Sequence, residues 1–88
     1  MFAELCVKLA TEHGIIVSVC PVDGSMLRLH LMLGSDCNAH YFDTKMLKRY
    51  GCDIMLAHYT EEMAEELLNY VEKKMKENVK GGETDGKE

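Results

Sequence analysis

Three features of the sequence predict a small α+β domain: a three-stranded antiparallel meander with helices packed on one face, in the order α-β-β-β-α-α. The first is Met26–Leu33, where Leu27, Leu29, Leu31 and Leu33 alternate with Met26, Arg28, His30 and Met32. A period of two puts the four leucines on one side of an extended strand. The second is the pair of stretches near either end, Met1–His13 and Thr60–Asn78, whose apolar residues recur at three- and four-residue spacing, the mark of a helix with one buried side. The third is the turn chemistry on either side of the leucine strand, Pro21–Ser25 and Gly34–Asn38.

The first helix places Phe2, Leu5, Cys6, Leu9 and Ala10 on one side, with Glu4 and Lys8 a turn apart on the other. Gly14 follows as a left-handed C-terminal cap, and His13 stands where the helix dipole favours a cation. Ile15–Cys20, rich in β-branched residues and bounded by Gly14 and Pro21, reads as a strand. Its register decides the turn. A two-residue Asp23-Gly24 turn would set Ile16, Ser18 and Cys20 beside the leucines. An odd-length loop, such as a type I turn with Gly24 left-handed, instead sets Ile15, Val17 and Val19 there, and is preferred because it buries the β-branched set.

After the second turn cluster a short strand is expected over Ala39–Phe42. Pairing Leu33 with Ala39 puts Tyr41 on the leucine face and His40 beside His30 on the other. Asp43 or Thr44 then caps a short helix through Tyr50, with Met46, Leu47 and Tyr50 inward and Gly51 ending it. Cys52–Tyr59 has two readings: a helical turn capped by Asp53 that runs into the next helix, or an edge strand over Ile54–Leu56. Thr60 is the expected N-cap of the last helix, whose stripe is Met63, Leu67, Val71 and Met75 with Ala64 and Leu68 beside it. Residues 1–79 form the expected single domain. Residues 80–88, Lys-Gly-Gly-Glu-Thr-Asp-Gly-Lys-Glu, contain no apolar side chain and read as a solvated tail.

Composition narrows the function. In 88 residues there is room for one modest core. Fifteen acidic against ten basic residues, net −5, argue against a nucleic-acid or anionic-membrane binder. The same coarse element order occurs in double-stranded RNA-binding domains, but those hold phosphates with a basic cluster where this chain has Thr60-Glu61-Glu62-Met63-Ala64-Glu65-Glu66. No apolar run is long enough for a membrane span, and no basic segment followed by a long apolar core opens the chain. A cytoplasmic location is expected, with Cys6, Cys20, Cys37 and Cys52 as reduced thiols.

Four constellations could carry chemistry. Cys20, His30, Cys37 and His40 have ligand types suited to zinc, yet Cys37-Asn38-Ala39-His40 is the only short pair, so no cofactor or metal is expected. Cys20 with His30 as a thiol and base lacks an evident oxyanion hole or cleft, and catalysis is not expected. Glu61, Glu62, Glu65 and Glu66 form an acidic patch; acids at a helix start suit the macrodipole, although Glu61 with Glu65 and Glu62 with Glu66 repel. The last is the non-leucine sheet face, Ile16, Ser18, Cys20, Arg28, His30, Met32, His40 and Phe42, too apolar for plain solvent surface and too polar for a core.

The expected function is therefore a small acidic, non-enzymatic protein-interaction module that self-associates. Its expected contact residues are Arg28, His30, Met32, His40, Phe42 and the four glutamates. An alternative from another class is an inhibitor or adaptor of the phage or mobile-element type, using its acidic helix to block a nucleic-acid-binding protein.

Overall fold

In a computed structural model of the chain, residues 1–77 are described in full and 78–87 by backbone alone. The solvated tail expected over 80–88 falls outside the fully described residues. The elements run α1 (Phe2–His13), β1 (Ile16–Asp23), β2 (Met26–Leu33), β3 (Asp36–Asp43), α2 (Thr44–Tyr50) and α3 (Cys52–Lys87). The strands form one antiparallel sheet in the order β1-β2-β3, so the α+β class, the element order and the meander are as the sequence predicts.

Helix α1 ends at Gly14, which takes the left-handed conformation at φ 72° and donates its N–H to the Ala10 carbonyl. The next N–H, of Ile15, reaches the Leu9 carbonyl at 3.1 Å. This bond folds the chain back on the helix, and Ile15 is fully buried before the first strand begins.

The β1–β2 register is the expected one. Val17 pairs with Leu31, Ser18 with His30 and Val19 with Leu29, which places the valines on the leucine side. The means differ from expectation. Gly24 is not left-handed; a two-residue turn, Gly24-Ser25, joins Asp23 to Met26, and the odd residue is absorbed by an irregularity in β1 between Pro21 and Asp23. Asp23 Oδ1 accepts from both the backbone N–H and the hydroxyl of Ser25, at 2.8 and 2.9 Å. Val19, on the edge strand, remains exposed.

The β2–β3 register is not the expected one. Leu33 pairs with Asp36, not Ala39, across the two-residue turn Gly34-Ser35. Gly34 sits at φ 64° and Ser35 has negative φ, the sign pattern of a type II′ hairpin turn. A shift of three residues is odd, so every side chain of β3 changes face. His40 and Phe42 lie on the leucine face, and Tyr41 lies on the other.

Helices α1 and α3 and the buried Leu47 of α2 close over the leucine face, which is where the helices were expected. The core is built from Leu9, Ile15, Leu29, Leu31, Phe42, Leu47, Leu56, Met63, Ala64 and Leu67. Asp43 caps α2 by accepting from the Lys45 N–H at 2.8 Å, and Gly51 ends that helix. Of the three residues expected inward on α2, Leu47 is buried while Met46 and Tyr50 are exposed.

Helix α3 begins eight residues earlier than Thr60, so the helical reading of Cys52–Tyr59 is the correct one. Asp53, in its first turn, accepts from the Phe2 N–H at 2.9 Å and ties the starts of α1 and α3 together. Thr60 is no cap. It is fully buried in mid-helix, on the stripe that runs through Leu56, Met63 and Leu67. Further along, Lys74 Nζ meets Asp36 at 3.1 Å and fastens the helix to the second hairpin; that hydrogen bond and charge raise the lysine pKa above its ordinary value.

Candidate interaction surfaces

With every helix on one side of the sheet, the other side is uncovered. Its pattern follows from the pairing in three cross-strand rows, Ile16–Met32–Cys37, Ser18–His30–Ala39 and Cys20–Arg28–Tyr41, with a fourth, Asp23–Met26–Asp43, at the turn end. The outer rows carry the large side chains, with Ile16, Met32 and Tyr41 respectively 57%, 42% and 53% exposed; the middle row is small apart from His30. Arg28 and His30 are half-buried, and the Arg28 Nε is enclosed without a hydrogen-bond partner. At the turn end of this side two carboxylates, Asp23 and Asp43, flank Met26; the first accepts from Ser25 and the second caps α2.

Of the five sheet residues expected on one face, three share it: Arg28, His30 and Met32. His40 and Phe42 face the helices, because the β2–β3 register differs by an odd number. Phe42 is only 5% exposed, and it forms an aromatic group with His40 and Tyr59. The His40 ring stacks on Tyr59 at 4.7 Å between centroids, and Phe42 meets Tyr59 edge-on at 5.0 Å. Tyr41 was missed as a surface residue and Tyr59 as a packing residue. The missed signal was Gly34-Ser35 itself, a recognised two-residue hairpin pair.

The same register splits the potential zinc set. Cys20, His30 and Cys37 are on the uncovered face and His40 is on the covered one. Among the described residues, no group of three or more His, Cys, Asp or Glu side chains is arranged to hold a metal. Cys20 and His30 are diagonal neighbours on one face, as expected, but the Cys20 thiol lies against the Pro21 carbonyl at 3.6 Å. Cys6, partly buried in α1, has its pKa raised by burial, which disfavours the thiolate.

The four glutamates are exposed and lie in the interior of α3, nine or more residues past its start. They do not share one surface. Glu61, Glu62 and Glu65 line a groove of about 470 Å³ between α1 and α3, whereas Glu66 borders a separate notch with Cys37, Asn38 and Tyr70. His58 Nε2 is 3.5 Å from Glu62 at one end of the groove. Among the described residues, no helix is long and apolar enough to cross a membrane. No family model, curated protein or solved structure matches the chain.

Proposed function

We propose that the chain is a small, non-enzymatic protein-interaction module that self-associates, and that a second copy covers the open sheet face. The observation that carries this reading is the exposure of Ile16, Met32 and Tyr41 on a sheet face whose opposite side packs against the helices. Uncovered apolar area of this kind is a recurring mark of interaction surfaces.

Charge supports a second copy as the occupant, and size sets how tightly it is held. Three eight-residue strands cover roughly 26 by 14 Å, so two faces together bring roughly 700 Å² of projected area into contact, below the roughly 1,000 Å² of a robust specific interface, and the dimer is expected to be weak. The protein carries a net −5, yet the two carboxylates paired with this face, Asp23 and Asp43, are confined to its turn end beside Met26. A two-fold axis lying in the interface, across the strands through the Ser18–His30–Ala39 row, sets Met32 of one copy against Arg28 of the other. The two Arg28 backbones then stand about 13 Å apart along the strand direction, beyond the screening length of roughly 8 Å in physiological salt.

Sedimentation across micromolar to millimolar concentrations tests this directly. The expected result is a reversible monomer–dimer equilibrium that responds little to salt. The exposed-site variant Ile16→Lys with Met32→Lys is expected to abolish it with the circular dichroism spectrum unchanged. A monomer at every concentration would overturn the reading, as would a dimer indifferent to both substitutions.

A further inference from the structure

We infer that the groove between α1 and α3 is a second binding site, and that its occupant is a basic amphipathic helix from a partner protein. It lies in the helical layer, on the side of the molecule away from the open sheet face, and so is independent of self-association.

The inference starts from the position of the glutamates. Acids in the first turn of a helix are explained by the macrodipole, an effect that fades within that turn. Here the helix starts at Cys52, so Glu61, Glu62 and Glu65 lie beyond its reach. What remains is the repulsion between Glu61 and Glu65, four residues apart, which runs against helix stability. Within the fold, the exposed His58–Glu62 contact offsets little of that repulsion.

The groove beneath these carboxylates has the shape and chemistry to use them. Leu5 and Leu68, both half-buried, form an apolar ledge above the buried Leu9 and Ala64. The α3 wall carries the three carboxylates, while the α1 wall carries Lys8 and His13. An apolar floor with one strongly acidic wall is complementary to a helix that lays its apolar stripe into the groove and sets Lys or Arg along one flank. The lone Lys8 on the facing wall makes the match directional, since the partner's basic flank must lie toward α3. Nucleic acid and anionic membranes are repelled by the same wall.

A fluorescein-labelled helical peptide of leucine and lysine, amphipathic by design, serves as the probe, with fluorescence anisotropy on the full chain as the readout. Saturable binding that weakens steeply with salt is expected. The variant Glu61→Gln, Glu62→Gln, Glu65→Gln is expected to weaken it by about tenfold or more. The control variant Glu4→Gln, Glu66→Gln, Glu77→Gln removes the same charge away from the groove lining and is expected to change binding by less than about twofold. Equal losses in the two variants would reduce the effect to net charge and overturn the site. Absence of binding at low salt, or binding unmoved by the groove variant, would overturn it as well. Both variants replace exposed side chains, so folding is not at issue.

Discussion

The two hairpins share the central strand and differ in how the chain turns. In the first, Asp23 holds the turn with its side chain and the odd residue is taken up inside β1. In the second, Gly34 makes the turn with its backbone and no residue is left over. The first register follows from apolar alternation on both strands. The second does not, because neither set of alternate residues on β3 is plainly apolar. Where both strands have a clear apolar face, burial selects the register whatever the turn; where one lacks it, turn geometry decides.

The largest expected effect separates neighbouring residues of β3. Phe42→Ala removes a buried ring from the core and is expected to lose about 3–5 kcal/mol of stability. Tyr41→Ala, on the open face, is expected to cost the monomer less than about 1 kcal/mol. Urea unfolding at concentrations where the protein is monomeric measures both. A reversed order would restore the five-residue loop and the Leu33–Ala39 pairing.

How much was legible in the sequence follows the same division. The α+β class and the Gly14 cap rest on residues with a single reading; the β1–β2 register was selected from two by burial of the β-branched set, and the α2 cap lay between Asp43 and Thr44. The start of α3 has no single reading, since Asp53 and Thr60 are both good N-caps and the run between them is too short for periodicity to separate helix from strand. Only packing shows that Thr60 lies on the buried stripe with Leu56 and Met63. Of the candidate surface, Arg28, His30 and Met32 were legible because β2 alternates cleanly. His40 and Phe42 were assigned to the wrong face by one turn, and the groove could not be read at all, because it depends on how two helices far apart in sequence come together.

A smaller pair of effects contrasts the turns themselves and should have opposite signs. A Cβ at Gly34 meets no atom within 4 Å but would sit at φ 64°, so Gly34→Ala is expected to cost about 1–2 kcal/mol from backbone strain alone. Gly24 also has open space around it, and its φ is outside the left-handed region. Gly24→Ala therefore restricts the unfolded chain without straining the folded one, and a gain of about 0.4–1 kcal/mol is expected. Thermal unfolding of the two variants in one buffer reads the difference. Equal losses would mean that Gly24 needs glycine after all, and the odd residue would belong to the turn.

The smallest effect is a pH dependence confined to the first hairpin. The backbone N–H of Ser25, and then its hydroxyl, hold the Asp23 carboxyl below its ordinary pKa of 3.8. A carboxyl whose pKa is lowered on folding contributes stability that is complete above the ordinary value and is lost as pH falls through the folded one. Asp23→Ala is thus expected to be less stable than the parent at neutral pH, and the gap should close as the solution is acidified below about pH 4. Asp23 is exposed, so solvent screening keeps the change small. The loss caused by Gly34→Ala has no titrating group behind it and should stay constant over the same range. Urea unfolding of the parent and both variants across that pH range checks the contrast: one hairpin is held by a charge and the other by a backbone angle, and only the first should respond to acid.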